Sequence, residues 1–439
     1  MTSIKIAFIG LGAIGLPMAR RLGNDPNVEL TIFDVVPEVL VAEAHLGRVA
    51  QSIADALDGN DVVFSVLPAD RHVRSVGAEI AAHGHAGQIY VDFSTISPST
   101  MTEVAQAIEL KGLTVLSGAL MRSVAAAENG TLSIFLGGSV DAIEDIRPAL
   151  ELLATEIRVV ESLGVAKALK IVNNMMVSAL DLVICDGLLI AAKSGVSAAE
   201  LVAELHRNGG TSWPLINHIE KHLLTNDLAP GRFSTRYMAK DAALAIVLAS
   251  ERSEPAWFAG MSVAAYRGTD SLGFGDHYHP IVMRWFEHIA NLNDVISDVA
   301  AVNEILLAQG AEACRLIAEG IVAQQALISL EGLRIISGEA ISVAEAVDHF
   351  HNGSSSNAFY TQLHAPRTAG GVEQNFGMLA SAIARVCDLA QSATVPAFTF
   401  EVGRNIALAL GRQHGVDLNV FDFARNSSSD ARANGSART

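Results

Sequence analysis

The sequence predicts an α/β nucleotide-binding domain followed by an all-α domain and a second, degenerate all-α copy. Three observations predict it. Up to about residue 160, short apolar runs bounded by turn residues alternate with helical patterns. From about 165 to 425, strand-like alternation is scarce and Ala, Leu, Ile and Val recur at helical spacing. Within that helical part, GLLIAAKSGVSAAELVAELHRNGGTS (187–212) is matched in order by GLRIISGEAISVAEAVDHFHNGSSS (332–356), and SEPAWF (253–258) by TVPAFT (394–399).

KIAFIG (5–10) is a continuous apolar run, the signature of a strand buried on both faces. GLGAIG (10–15) follows and opens a helical pattern, and ELTIFD (29–34) is the next strand, closing on Asp34. A strand, a GxGxxG turn, a helix and an acid at the end of the second strand together form the Rossmann-type dinucleotide fingerprint. Gly10, Leu11, Gly12, Ala13, Ile14 and Gly15 would bring backbone against a pyrophosphate at the helix N-terminus. Asp34 would accept hydrogen bonds from the adenosine ribose and repel a 2′-phosphate, so NAD is the expected cofactor. DVVFSVLP (61–68) and QIYVDFSTISP (88–98) are further strands whose ends, including Leu67, Pro68 and Thr95, would lie over the cofactor. LTVLSG (113–118) and LSIFLGG (132–138) extend the sheet. The stretch SGALMRSVAAAENGTL (117–132) reads as a loop joining them on the ligand side, with one cation, Arg122.

Composition narrows the partners. The net charge is −17, which argues against nucleic acid, whose phosphates call for clustered Lys and Arg. Cys185, Cys314 and Cys387 lie far apart in apolar helical contexts, fitting free thiols in a reducing cytoplasm rather than a disulfide framework or a metal knuckle. The most apolar region, 171–192, is interrupted by Asp181 and Asp186 and reads as a buried helix, not a membrane span. His277, His279, His349 and His351 read as structural residues, and no metal is expected.

The first helix of the helical part carries KIVNN (170–174). Lys170 and Asn174 are one turn apart and share a face. A lysine there, with partial burial lowering its pKa, suits proton transfer. With these motifs in hand, the first 290 or so residues resemble the β-hydroxyacid dehydrogenases, the family of 3-hydroxyisobutyrate dehydrogenase and tartronate semialdehyde reductase. GLGAIGLPMA (10–19) resembles the family's cofactor fingerprint. DFSTISP (92–98) is similar to its D-x-S-T-x-x-P segment, which places Thr95 near nicotinamide and substrate. GVAKALKIVNN (164–174) resembles the helix bearing the catalytic lysine and a substrate-binding asparagine. FSTRYMAKD (233–241) is similar to a later segment whose lysine, here Lys240, lies near the nicotinamide ribose. The resemblance implies hydride transfer between NAD and a small β-hydroxy acid, with Lys170 as general acid/base and Asn174 orienting the substrate.

The chain departs from that family in two places. Where the family has Ser-Gly-Gly to hold a carboxylate, this chain has Met121, Arg122 and Ser123. The triplet looks most like the Gly-Arg-Thr of sulfolactaldehyde reductases, so Arg122 is expected to bind the substrate's carboxylate or sulfonate; the alternative has it facing solvent or paired with Glu128. The chain also runs well past the family's usual end. The expected domains are 1–163 (nucleotide-binding), 164–290 (catalytic helical), 291–425 (second helical copy) and a disordered tail, 426–439. Aligned on its likeness to the first copy, the second places Cys314 at Lys170, Ala318 at Asn174 and Ser381-Ala382 at Lys240-Asp241, so it lacks the chemistry. As in 6-phosphogluconate dehydrogenases, it would bury the first copy's apolar surface as an intramolecular pseudo-dimer, with a homodimer also possible. Three rival functions are a decarboxylating dehydrogenase of the 6-phosphogluconate type, opposed by Asn173 where that family has His; an imine reductase, opposed by Lys170; and a non-catalytic NAD-binding interaction protein.

Overall fold

The computed structural model describes residues 3–292, 304–365 and 374–426. It divides into two compact units, Met1–Ile171 and Val172–Thr439. The division falls inside one continuous helix rather than at the expected 163/164 boundary. Much of the stretch around the expected start of the second copy, and the tail beyond Asn426, lie outside the described residues.

The first unit holds one sheet of eight strands: β1 (Ile4–Ile9), β2 (Val28–Phe33), β3 (Arg48–Val49), β4 (Val62–Ser65), β5 (Ile89–Asp92), β6 (Thr114–Met121), β7 (Leu132–Gly137) and β8 (Ala154–Val160). Their order is β3-β2-β1-β4-β5-β6-β7-β8. Neighbours run parallel except β6 and β7, which are antiparallel. The continuous apolar run of β1 has the predicted cause. Ile6 and Phe8 enter the core on one face of the sheet, Ala7 and Ile9 the core on the other. The strand order reverses between β1 and β4, which opens a crevice at their C-terminal ends, the place where such sheets bind nucleotides.

The stretch expected as a loop at 117–132 is mostly regular structure. β6 continues through Met121, buried along nearly its whole length and paired with β7 in the register Met121↔Ser133. After helix α1 (Gly15–Gly23), described below with the site, a short helix α2 (Val124–Asn129) completes this segment. The small residues that suggested a loop are there for packing. A side chain at Gly118 would place its Cβ 2.2 Å from the Phe93 ring. Only the turn at Arg122 and Ser123 and the turn at Gly130 and Thr131 remain irregular.

The second unit is helical and repeats one series. Helix α3 (Leu163–Lys193) runs into it, followed by α4 (Ala198–Arg207), a π-helical segment Leu215–Leu223, α5 (Thr235–Glu251) and α6 (Trp257–Thr269). Further on come α7 (Glu304–Ile336), α8 (Val343–Asn352), α9 (Ala358–His364), α10 (Phe376–Ser392) and α11 (Phe398–His414). The repetition reaches local chemistry. α4 and α8 both begin with a capping box, Ser197 with Glu200 and Ser342 with Glu345. α5 and α10 begin on the side-chain caps Ser234 and Asn375. Ser253 (φ 57°) and Thr394 (φ 58°) are strained non-glycine residues in the turns that lead into α6 and α11.

Contacts between the two series are reciprocal. A Cβ on Gly187 would lie 2.7 Å from Ile321 and 3.2 Å from Ile317, and one on Gly332 would lie 2.4 Å from Met176 and 3.2 Å from Val172. The two long helices therefore approach so closely that each needs glycine at the crossing. Asp186 of α3 accepts hydrogen bonds from the Thr399 N–H and hydroxyl, both 2.7 Å, at the start of α11. Glu331 of α7 accepts the N–H groups of Trp257, Phe258 and Ala259 at 2.9–3.2 Å at the start of α6. Each long helix thus caps the final long helix of the other series with a buried acid, and burial pushes both carboxyls up to about 7. Ser212 and Asn357, equivalent positions, pair with each other.

These contacts correct the alignment of the second copy by one residue. Val172 matches Ile317 and Met176 matches Ile321, so Lys170 falls on Arg315 and Asn174 on Glu319, not on Cys314 and Ala318. The match of GLLIAAK, from Gly187, to GLRIIS, from Gly332, carries this same register, so the slip lies in extending that match back along the two long helices. Arg315 and Glu319 bond to each other, and Arg385 reaches Glu319 at 2.6 Å. Apolar windows in α3 and α7 are long enough to span a membrane by composition, with mean hydropathy 2.0 and 1.3, and are 94% and 83% buried within the protein. They are the core helices of this unit.

Candidate active site

In the first unit, the fingerprint glycines hold three different roles. Gly10 has φ 95°, and a Cβ there would lie 2.3 Å from the Val66 carbonyl oxygen. A Cβ on Gly15 would lie 2.1 Å from the Gly10 carbonyl, so the helix can begin this close to β1 only with glycine. Gly12 has open space around its Cα, as a residue facing a phosphate requires. It precedes α1, and its carbonyl accepts the Leu16 N–H at 2.9 Å, which fixes the turn at the start of the helix. Asp34 accepts the Leu11 N–H at 2.6 Å and the Val36 N–H at 2.9 Å. It therefore braces the glycine turn as well as standing at the end of β2. Ala13 is exposed and Ile14 half-buried at the same turn. These residues fit an NAD pyrophosphate and ribose.

The C-terminal ends of β4 and β5 lie on the same edge. Leu67 donates its N–H to Ser94 Oγ at 2.8 Å, Pro68 is exposed, and Thr95 is half-buried in the loop after β5. That loop is built on a group the sequence did not reveal. Lys167, one turn before Lys170, is fully buried, and its Nζ reaches Asp92 Oδ1, Asp92 O and Ser94 O at 2.8 Å and Gly118 O at 3.0 Å. Asp92 also accepts from Ser65 Oγ at 2.7 Å and from Ser94 Oγ at 2.8 Å. The ammonium ties the end of β5 and the middle of β6 to the helix that carries Lys170. Lys170 itself is half-buried. Of these two lysines one turn apart, Lys167 is a strut and Lys170 is within reach of solvent.

Arg122 sits at the same edge, at the end of β6, with φ 79°. A positive φ is costly for a side-chain-bearing residue, so this backbone shape is one that glycine would take at ease. Its guanidinium donates to Thr131 O and to Thr155 Oγ1 at 3.1 Å and lies 3.5 Å from Glu156. The counter-ion is therefore Glu156, not Glu128. Glu156 keeps a second cation, Arg158, at 2.5 Å. Met121 is buried, while Ser123 is exposed and its hydroxyl does not cap α2.

In the second unit, Asn174 is 6% exposed and donates to Asp241 Oδ2 at 2.6 Å. Lys240 Nζ lies 3.0 Å from Asp241 Oδ1. The FSTRYMAKD segment, at the start of α5, is thus bonded to α3 at the asparagine that follows Lys170 by one turn. Asn173 donates to Asn174 Oδ1 at 3.2 Å and to Ser354 Oγ at 2.8 Å.

The histidines sort differently from the sequence expectation. His279 groups with His218 and Asp181 rather than with His277, and all three are buried with ligand-type atoms within 4.8 Å of one another. His218 donates to Asp181 at 2.9 Å, and His279 Nδ1 lies 3.1 Å from the same carboxylate. Burial first, and then the neighbouring His218, push His279 down to about 4, so it is neutral near pH 7. Cys185, Cys314 and Cys387 are free and buried.

Comparison with known proteins agrees with this geometry. The family model described as the NAD binding domain of 6-phosphogluconate dehydrogenase matches residues 5–164, and that described as NAD-binding of NADP-dependent 3-hydroxyisobutyrate dehydrogenase matches residues 164–286. The 3-hydroxyisobutyrate dehydrogenase of Pseudomonas aeruginosa is 33% identical over 251 residues, 55% of this chain and 84% of the relative. The 2-(hydroxymethyl)glutarate dehydrogenase of Eubacterium barkeri is 29% identical over 302 residues, 66% of this chain and 97% of the relative. A solved structure of Mycobacterium tuberculosis 3-hydroxyisobutyrate dehydrogenase with L-serine superposes with a TM-score of 0.60 at 27% identity, covering 65% of this chain and 99% of that one. The chain belongs to the β-hydroxyacid dehydrogenase family, that of 3-hydroxyisobutyrate dehydrogenase, and is an NAD-dependent oxidoreductase acting on CH–OH groups.

Proposed function

We propose that this dehydrogenase interconverts a small β-hydroxy acid and its carbonyl product with Lys170 as the proton-transfer group. The observation that carries the reading is the division of labour on α3. Lys167 is locked in a buried ion pair, Lys170 is half-buried, and Asn174 is fixed one turn on by Asn173 and Asp241. Bound NAD supplies the hydride acceptor for the carbinol carbon. Lys170 takes the hydroxyl proton in oxidation and returns it in reduction. Asn174 orients the substrate and Thr95 lies beside it, while Lys240 attends the cofactor ribose. Asp34 favours NAD over NADP, because its charge opposes a 2′-phosphate.

The substrate's anionic group is read by Arg122 with the Ser123 hydroxyl. In this assignment Arg122 exchanges Glu156 for the substrate. An ion pair as exposed as this one is worth about 0–1 kcal/mol, and Glu156 retains Arg158, so the exchange costs little. The second helical series takes the place that a partner subunit's helices would fill, an intramolecular pseudo-dimer supported by the reciprocal glycine crossings and capping acids. A reducing cytoplasm suits the three buried free thiols.

The test is NADH formation across small β-hydroxy acids and their sulfonate analogues, with wild type, Lys170→Ala and Arg122→Ala. Lys170→Ala should lose at least about a thousandfold in kcat while still binding NADH. Arg122→Ala should raise KM for one anion class about tenfold or more. Unchanged kinetics in Arg122→Ala would leave the arginine a surface strut on Glu156, and turnover surviving in Lys170→Ala would remove the proposed acid/base.

A further inference from the structure

The reciprocal packing has a consequence for the site itself. The loop after α8, Gly353-Ser354-Ser355, reaches the asparagine pair of α3. Ser354 Oγ accepts from Asn173 Nδ2 at 2.8 Å, and the Ser355 N–H donates to Asn173 Oδ1 at 3.2 Å. Asn173 in turn donates to Asn174 Oδ1, Asn174 to Asp241, and Asp241 meets Lys240. An unbroken chain of polar contacts therefore runs from the second helical series to the residues assigned to substrate and cofactor. A Cβ on Gly353 would lie 2.9 Å from His349 O and 3.1 Å from Asn173 Oδ1, so a side chain there would press on both. Ser354 is half-buried, and its hydroxyl acts as acceptor toward Asn173, which leaves its hydrogen for another oxygen.

The counterpart of this loop in the first series lines a groove. The position of Gly353 is matched in the first series by Asn208. Asn208 lines an open groove of about 630 Å³ together with Glu319, Ser381, Ala382 and Arg385, the counterparts of Asn174, Lys240, Asp241 and Leu244. In the second copy, then, the loop of the other series forms part of the wall of a groove that takes in the counterparts of Asn174 and Lys240. There Arg315 and Arg385 both engage Glu319. By the same pseudo-symmetry the Gly353–Ser355 loop stands beside Asn174, through Asn173.

We propose that the second helical series, stripped of its own catalytic side chains, supplies a positioning and specificity loop to the substrate site of the first: Ser354 and Ser355 hold Asn173, Asn173 holds Asn174, and the Ser354 hydroxyl donates to an acceptor oxygen of the bound hydroxy acid. This rests on the reading of Asn174 as a substrate-orienting residue. A substrate with a second carboxylate or hydroxyl beyond the carbinol would use that donor.

The experiment is steady-state kinetics of the full chain with 3-hydroxyisobutyrate, L-serine and 2-(hydroxymethyl)glutarate as probes, each against saturating NAD. Ser354→Ala should raise KM about tenfold for the acid the wild type turns over best, with the KM for NAD and the melting temperature unchanged. Ser354→Thr keeps the hydroxyl and should restore most of the loss, and Asn208→Ala, on the counterpart groove, should match the wild type. Ser354→Ala kinetics within about twofold of wild type would overturn the proposal. So would an equal loss in Asn208→Ala, which would mark a general effect of packing. Wild type inactive on all three acids would strike the substrate reading, and this inference with it, a result visible before any variant is measured.

Discussion

Lys167→Met tests the strut beneath the site. The substitution keeps an unbranched side chain of similar length and removes the ammonium. Both ends of the Lys167–Asp92 pair are fully buried, and Nζ serves four oxygens at 2.8–3.0 Å. Removing one partner of a buried pair costs about 3–5 kcal/mol, because the other charge is left without compensation. Here Asp92 would keep Ser65 Oγ and Ser94 Oγ at 2.7 and 2.8 Å and the Ser94 N–H at 3.1 Å. The expected loss is therefore at the lower end, about 3 kcal/mol. Urea unfolding should be followed by circular dichroism and by loss of NADH binding, since two units need not unfold in one step. Asp92→Asn and the double variant complete a cycle, and the double variant should lose less than the two singles together by about 1–3 kcal/mol. Activity should fall as well, because the same ammonium holds the carbonyls of the loop that carries Thr95. A loss below about 1 kcal/mol in Lys167→Met, or strictly additive singles, would refute the reasoning.

Two further outcomes follow from buried acids and from the cofactor turn. Asp186 and Glu331 are pushed up to about 7 when folded, from ordinary values of 3.8 and 4.5. Between those limits the native state binds more protons than the unfolded one, so their contribution to stability falls as pH rises from about 4 to about 7 and then levels off. Asp186→Asn/Glu331→Gln should remove that slope; urea midpoints at several pH values across the window, with wild type and variant running parallel, would contradict it. Asp34→Ser should lower the ratio of kcat/KM for NAD over NADP by about tenfold or more, measured with either cofactor at fixed substrate, and an unchanged ratio would show that Asp34 serves only to brace Leu11 and Val36.

The parts of this molecule that the sequence exposes are those whose cause is local. β1 reads as a strand because both its faces are buried, and the glycine turn reads as a cofactor turn because Gly10 and Gly15 stand where any Cβ would strike a carbonyl within six residues or across one strand. Lys170 and Asn174 share a helix face by spacing alone. The parts it hides depend on distant partners. Lys167 and Lys170 are the same residue type one turn apart, and only Asp92, far earlier in the chain, decides which is buried. β6 looks like a loop through Met121 because its small residues answer to Phe93 and to β7, not to their neighbours in sequence. Arg122 finds Glu156 rather than Glu128 because β8 lies beside β7.

The two helical series also show which residues a repeated domain must keep. In a symmetric dimer of identical chains every substitution occurs twice, so a residue needed at one site is retained at both. Two series in one chain are released from that. The positions proposed for chemistry have no like residue in the second series: Lys170 and Asn174 are matched by Arg315 and Glu319, and Lys240 and Asp241 by Ser381 and Ala382. The positions that join the series have not. Gly187 and Gly332 still allow the long helices to cross, Asp186 and Glu331 still cap each other's partners, and Ser212 and Asn357 still meet. Each of these is required by the opposite series rather than by its own, so divergence at one member would unsettle packing that the other half depends on. The same argument explains why a loop from the second series remains bonded to Asn173. It is held there by the first.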